Sequence, residues 1–164
     1  MKILVLNGPN LNLLGIREPE IYGKQTYSDL CQLIEAHAAE IGLEVEIRQT
    51  NHEGVLVDWI QAAGGYYDRI PCPGGSFEGV GDPKERFDGV VLNPGAYTHT
   101  SVALLDAVLA AGVPTVEVHI SDPMTREPFR RVSYVRAACV KTIVGKGFAG
   151  YLEAMDFLKL KIES

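Results

Sequence analysis

The chain's 164 residues suit one compact domain, and 46% apolar with 22% charged residues is ordinary globular usage, which excludes disordered, collagen-like and coiled-coil chains. Its 15 Lys and Arg against 21 Asp and Glu give a net charge of −6, which repels nucleic-acid phosphates and anionic lipid. The longest apolar runs, Lys2–Leu6 and Val113–Val118, are strand-length and far short of the ~20 residues of a membrane helix. No secretory signal is read at the start, so the expected address is cytoplasmic, with no membrane or nucleic-acid partner. Cys31, Cys72 and Cys139 are odd in number and lack Cys-x-x-Cys spacing, and they read as reduced thiols.

The first predicted element is a strand, Lys2–Asn7, which runs into a long polar loop, Gly8–Gln25. Tyr27, Leu30, Ile34, Ala38 and Ile41 then recur at helical spacing, and Thr26 with Asp29 three residues on forms a capping-box pattern. A strand at Leu43–Arg48, a loop at Gln49–Gly54 and a helix at Val55–Ala63 follow. Gly64–Arg86 is rich in Gly and Pro and too long for an ordinary helix-to-strand turn. Next come a strand at Phe87–Asn93, a loop at Pro94–Thr100, and a helix at Ser101–Ala111 closed by Gly112 and Pro114. A strand at Pro114–His119, a loop at Ile120–Arg131, a strand at Cys139–Val144 and a helix at Tyr151–Lys161 complete the pattern. Alternating strands and helices of this kind make βαβ units and a parallel sheet covered on both faces. Right-handed crossovers then gather the loops after the strands along one sheet edge, where open α/β folds bind ligands.

Several motifs yield to plainer readings. Gly145-Lys146-Gly147-Phe148-Ala149-Gly150 matches the dinucleotide pattern, but no further strand with an acidic residue follows to hold a ribose, so it reads as a glycine-rich strand-to-helix turn. No loop completes the lysine-plus-hydroxyl pattern of a phosphate-binding P-loop. His52, Glu53, His99 and His119 lie on three loops without a His-x-x-x-His pair, so no metal is expected. Ser101 lacks the Gly-x-Ser-x-Gly setting of a hydrolase nucleophile.

On the first loop, Arg17 and Tyr22 stand five residues apart, and a guanidinium beside a phenol stabilises its phenolate, so Tyr22 could serve as a base. The spacing equally allows a solvent-facing Arg and a Tyr packed over the loop. His119 ends a strand at the ligand edge, followed by the amides of Ile120 and Ser121 and by Arg126 and Arg130, which are anion-binding components. A hydrogen-bonded structural role is the plain alternative for that His. Asn93, His99, His119, Arg130, Tyr22 and Arg17 on converging loops describe a pocket for a small, hydroxyl-rich carboxylate and acid–base chemistry without a cofactor.

At these residues the sequence closely resembles the type II 3-dehydroquinate dehydratase (type II dehydroquinase) family. The resemblance is carried by Leu6–Gly15, Arg17-Glu18-Pro19 to Tyr22-Gly23, Gln49–Gly54, Asn93–Ser101 and Glu117–Ser121. It implies a flavodoxin-like three-layer α/β sandwich with a five-stranded parallel sheet. It also implies a lyase that dehydrates 3-dehydroquinate to 3-dehydroshikimate through an enolate, without Schiff base or cofactor, in the shikimate pathway or quinate catabolism. By the resemblance, Tyr22 is the base, Arg17 favours its phenolate and His119 is the acid. Asn12 holds a water at the developing oxyanion, and Glu53 joins the acid–base cluster. Asn93, His99, Ile120, Ser121 and Arg130 bind substrate, and Asp106 reaches across a subunit contact in a dodecamer of trimers. The alternative is a flavodoxin-like module that binds a small carboxylate or FMN without catalysis. The whole chain, 1–164, is expected to be one such domain with an atypical insertion at about 64–86. Two further departures are Asp122-Pro123, where Asn is usual after the His-Ile-Ser run, and Leu105, where a basic residue often precedes the Asp.

Overall fold

The computed structural model describes residues 1–16, 24–65 and 86–164. Arg17, Tyr22 and most of the expected insertion at 64–86 lie outside the described residues. Among the described residues, the strands are β1 (Lys2–Asn7), β2 (Glu44–Gln49), β3 (Gly89–Asn93), β4 (Thr115–His119) and β5 (Lys141–Val144). The α-helices are α1 (Tyr27–Ile41), α2 (Glu53–Ala63), α3 (Val102–Ala111) and α4 (Ala149–Glu163). All strand pairs are parallel, in the order β2-β1-β3-β4-β5. The order reverses between β1 and β3, and the crevice above that switch point is where doubly wound sheets take ligands.

Strand alternation splits the core into two faces. Ile3 and Val5 of β1 pack with Leu30 and Ile34 of α1 and with Met155 and Leu158 of α4. Leu4 and Leu6 pack on the opposite face with Leu56 and Ile60 of α2 and with Leu104 and Val108 of α3. Both faces of β1 are apolar because both are covered, which gives the three-layer α/β sandwich expected from the sequence. Each of these fully buried aliphatic side chains contributes roughly 1.5–3 kcal/mol of transfer free energy.

Local signals set the helix ends. The Thr26 hydroxyl accepts from the Asp29 amide at 3.2 Å, and the Asp29 carboxylate accepts from the Thr26 amide at 2.7 Å, so the predicted capping box forms. Gly112 closes α3 in the left-handed conformation. Several boundaries differ from expectation by one or two residues, and two of them have a visible cause. Strand β3 starts at Gly89, because the Phe87 amide bonds the carbonyl of Ala63 at the end of α2 instead of a strand neighbour. Helix α2 starts two residues early, at Glu53, behind a turn in which the Thr50 hydroxyl accepts from the His52 amide at 3.1 Å.

The glycine-rich segment after β5 is a strand-to-helix turn, as read. Gly145 has φ +72°, and its amide bonds the His119 carbonyl while the Gly147 amide bonds the Ile120 carbonyl, at 3.1 and 3.0 Å. The start of the first loop is pinned just as closely, since a Cβ on Gly8 would stand 2.5 Å from the Pro94 carbonyl oxygen. Gly8→Ala must therefore push the first and third loops apart. We expect a loss of roughly 1–3 kcal/mol, the range for overpacking a tight contact, read as a lowered midpoint in urea denaturation.

Candidate active site

Three strand ends and the loops beyond them enclose a cleft of about 260 Å³, lined by residues that include Asn10, Leu14, Asn93, His99, His119, Ser121, Arg126 and Arg130. Of the residues singled out in the sequence, Asn93, His99, His119, Ile120, Ser121 and Arg130 line this one cleft. Asn12 is exposed on the short 3₁₀ turn Leu11–Leu13, and Glu53 is the first residue of α2; neither lines the cleft. Asp106 is exposed on α3, away from it.

His119 is the last residue of β4, and Glu117 lies two residues before it, so both side chains project from the same face of the strand. His119 Nε2 lies 2.9 Å from Glu117 Oε1. The same carboxylate accepts from Ser133 Oγ at 2.6 Å and from Thr142 Oγ1 at 3.0 Å, and Arg136 Nε stands 3.6 Å away. Glu117 is fully buried. Burial alone would raise its carboxyl, but the hydrogen bonds from His119, Ser133 and Thr142 outweigh that and hold it below the usual glutamate range. A buried carboxylate so placed holds the imidazole in one orientation. The neighbouring Cys139 thiol is pushed up to about 12, by burial first and by the Glu117 charge second, which keeps it an unreactive thiol.

Across the cleft, the Val132 carbonyl stands 2.7 Å from His99 Nδ1, so that nitrogen carries a proton and donates. Burial, more than its other neighbours, lowers the His99 pKa, which favours a neutral ring with Nε2 as an acceptor. Arg126 and Arg130 both border the cleft and both face Glu127, with Nε to Oε2 distances of 3.4 and 3.0 Å. Asp122, which could have placed a charge beside an anionic ligand, instead caps the turn Pro123–Thr125: its Oδ1 accepts from the Met124 amide at 2.9 Å.

The near wall is fastened by amides. Gln49 Nε2 donates to the Gly8 carbonyl, to Asn51 Oδ1 and, at 3.4 Å, to Asn12 Oδ1. The Asn10 amide donates to Asn51 Oδ1 at 2.9 Å, and the Tyr97 hydroxyl donates to the Asn51 carbonyl at 2.8 Å. The first three loops are thus tied together at their roots. Sequence reasoning missed Glu117 as a partner of His119, although their spacing of two within a strand was the available signal. It also missed the Gln49–Asn51 network, which depends on how separate loops meet. Among the described residues, no group of three His, Cys, Asp or Glu is arranged to hold a metal ion, and no helix is long and apolar enough to cross a membrane. The cleft therefore presents a carboxylate-backed imidazole, a neutral imidazole, an amide and two guanidiniums to a small anionic molecule.

Comparison with known proteins agrees with this chemistry. The family model described as dehydroquinase class II matches residues 1–159. The chain is 48% identical to the 3-dehydroquinate dehydratase of Clostridium acetobutylicum over 159 residues, covering 97% of this chain and 96% of that one. It is 52% identical to the 3-dehydroquinate dehydratase of Corynebacterium glutamicum strain R over 157 residues, covering 96% and 94%. The crystal structure of type II dehydroquinase from Butyrivibrio crossotus superposes with a TM-score of 0.82 at 44% identity, covering 97% of each chain.

The depressed Glu117 carboxyl has a pH consequence. A group whose folded pKa lies below its unfolded value stabilises the fold above the unfolded value and loses that stabilisation as pH falls through the folded one. Wild type should therefore lose stability relative to Glu117→Gln as pH drops below the ordinary glutamate value of 4.5. Paired urea titrations between neutral pH and pH ~3 measure that difference; parallel curves would contradict it.

Proposed function

The chain belongs to the class II dehydroquinase family, and on that premise we propose that it dehydrates 3-dehydroquinate to 3-dehydroshikimate. The cleft with its Glu117–His119 pair is the observation that carries this reading. The elimination needs a base at the carbon beside the ketone and an acid at the departing hydroxyl, with charge held on the ketone oxygen between the two steps.

Tyr22 is the base, and its phenolate takes the carbon-bound proton to leave an enolate. Arg17, on the same loop, favours the phenolate against an ordinary pKa of ~10. Asn12 holds a water that donates to the enolate oxygen, and Glu53 supports the acid–base cluster from the start of α2. His119, oriented by Glu117, gives a proton to the hydroxyl as the C–O bond breaks, so the group departs as water. Asn93, His99, Ile120, Ser121 and Arg130 bind the substrate's hydroxyls and carboxylate. No lysine adduct, metal or redox cofactor has a step in this route.

One domain, 1–164, carries the chemistry, with 64–86 as an insertion. Three-dehydroshikimate feeds the shikimate pathway towards aromatic amino acids, and a cytoplasmic dodecamer of trimers, with Asp106 reaching a neighbouring subunit, is the assembly we assign. The alternative of an FMN or carboxylate module without catalysis is not favoured, since the relatives named above are dehydratases.

Purified protein with a metal chelator present should convert 3-dehydroquinate at neutral pH, followed by the ultraviolet absorbance of the conjugated product; unchanged substrate would refute the reading. In the same assay Tyr22→Phe is expected to lose ~10²–10⁴-fold in kcat, with KM little changed; retained turnover would reassign the base. Borohydride added during turnover should leave no substrate adduct by mass spectrometry, whereas a trapped adduct would point to imine chemistry.

A further inference from the structure

Behind the cleft, Asn93 joins a buried polar chain whose other members, Asn7 and Tyr151, have no part in the proposed reaction. Asn7 and Asn93 end β1 and β3 and stand side by side in register. Between them sits Tyr151 of α4, fully buried, as is Asn7, while Asn93 is 3% exposed and lines the cleft. Tyr151 Oη is 2.7 Å from Asn7 Oδ1 and 2.8 Å from Asn93 Nδ2.

The polarity of this chain follows from one backbone group. The Gly95 amide can only donate, and it bonds Asn93 Oδ1 at 3.2 Å. The Asn93 carboxamide must then turn its NH₂ toward Tyr151, whose oxygen accepts. A neutral phenol has a single proton, and that proton goes to Asn7 Oδ1. Burial raises the Tyr151 pKa, which keeps the hydroxyl neutral. The reverse orientation would set the Asn93 NH₂ against the Gly95 N–H. With these partners engaged, Asn93 retains one N–H and one carbonyl lone pair for the cleft.

We propose that Tyr151 is a positioning residue: it fixes the orientation in which the Asn93 carboxamide meets the substrate, and it sets substrate affinity from behind the cleft wall. The inference rests on the dehydratase reading for its kinetic consequence and on the geometry alone for the orientation itself. Because Asn93 binds groups present in both the ground and transition states, loosening it raises KM with little change in kcat.

Tyr151→Phe keeps the ring and removes only the oxygen. The expected result is a KM for 3-dehydroquinate raised about tenfold, as for one lost hydrogen bond, with kcat changed by less than about threefold. Combined with Asn93→Ala, Tyr151→Phe should add no further rise in KM, because both act through one amide. A KM left at the wild-type value, or effects that multiply in the double variant, would overturn the proposal. A second measurement needs neither turnover nor a folded Phe variant: in ligand-free wild type, one Nδ2 proton of Asn93, assigned by its absence from Asn93→Ala, should resist hydrogen exchange. Exchange as fast as that of surface asparagines would overturn the proposal as well. Absence of wild-type turnover would instead sink the dehydratase reading and the kinetic claim with it, leaving the exchange result to decide the orientation.

Discussion

The fold rests on the pairing of β1 with β3 at the point where strand order reverses. Parallel strands joined by right-handed crossovers deliver their following loops to one edge, so residues remote in sequence meet there without any local attraction between them. Everything at the cleft inherits its position from that pairing. Asn7 and Asn93 are adjacent because their strands are in register, and the loops after them start with Gly8 and Pro94 almost in contact. Covering both faces of β1 with apolar helices makes the register costly to shift, since a slip of one residue would exchange Ile3 and Val5 with Leu4 and Leu6 across the sheet.

Among the described residues, Glu117 is a carboxylate buried within this apolar frame. A carboxylate in a low-dielectric interior is unfavourable unless its lone pairs are filled, and Glu117 meets that condition with His119, Ser133 and Thr142 from three separate segments. The same contacts that make the charge tolerable hold the imidazole in one orientation. Stability and the orientation of the imidazole are therefore coupled at this position, and removing the carboxylate would leave the imidazole without its anchor.

Much of this was legible in the sequence. Apolar β-branched runs and period-3.6 patterning placed the five strands and four α-helices of the described residues to within a few residues, and Thr26, Asp29 and Gly112 marked helix ends through their own side-chain or backbone chemistry. Six residues chosen from strand ends and the loops beyond them line one cleft. The resemblance to a known family supplied the reaction, which spacing alone did not. What escaped was relational. Tyr151 reads as an apolar helix position, and only the approach of α4 to β1 and β3 reveals its hydroxyl between two amides. Glu117 was quoted within a motif, yet its meaning depended on Ser133 and Thr142, which arrive from outside that strand.

The turn at Gly145 and Gly147 links two ends of the chain that the chemistry treats separately. Its amides grip the carbonyls of His119 and Ile120, and α4 follows at once. The backbone at His119 and Ile120 is thereby tied to the turn that starts the last helix, so loss of that turn would free two carbonyls at the edge of the cleft. A truncation reaching back through α4 to this turn, though remote from the cleft in sequence, would thus remove two backbone contacts of its wall.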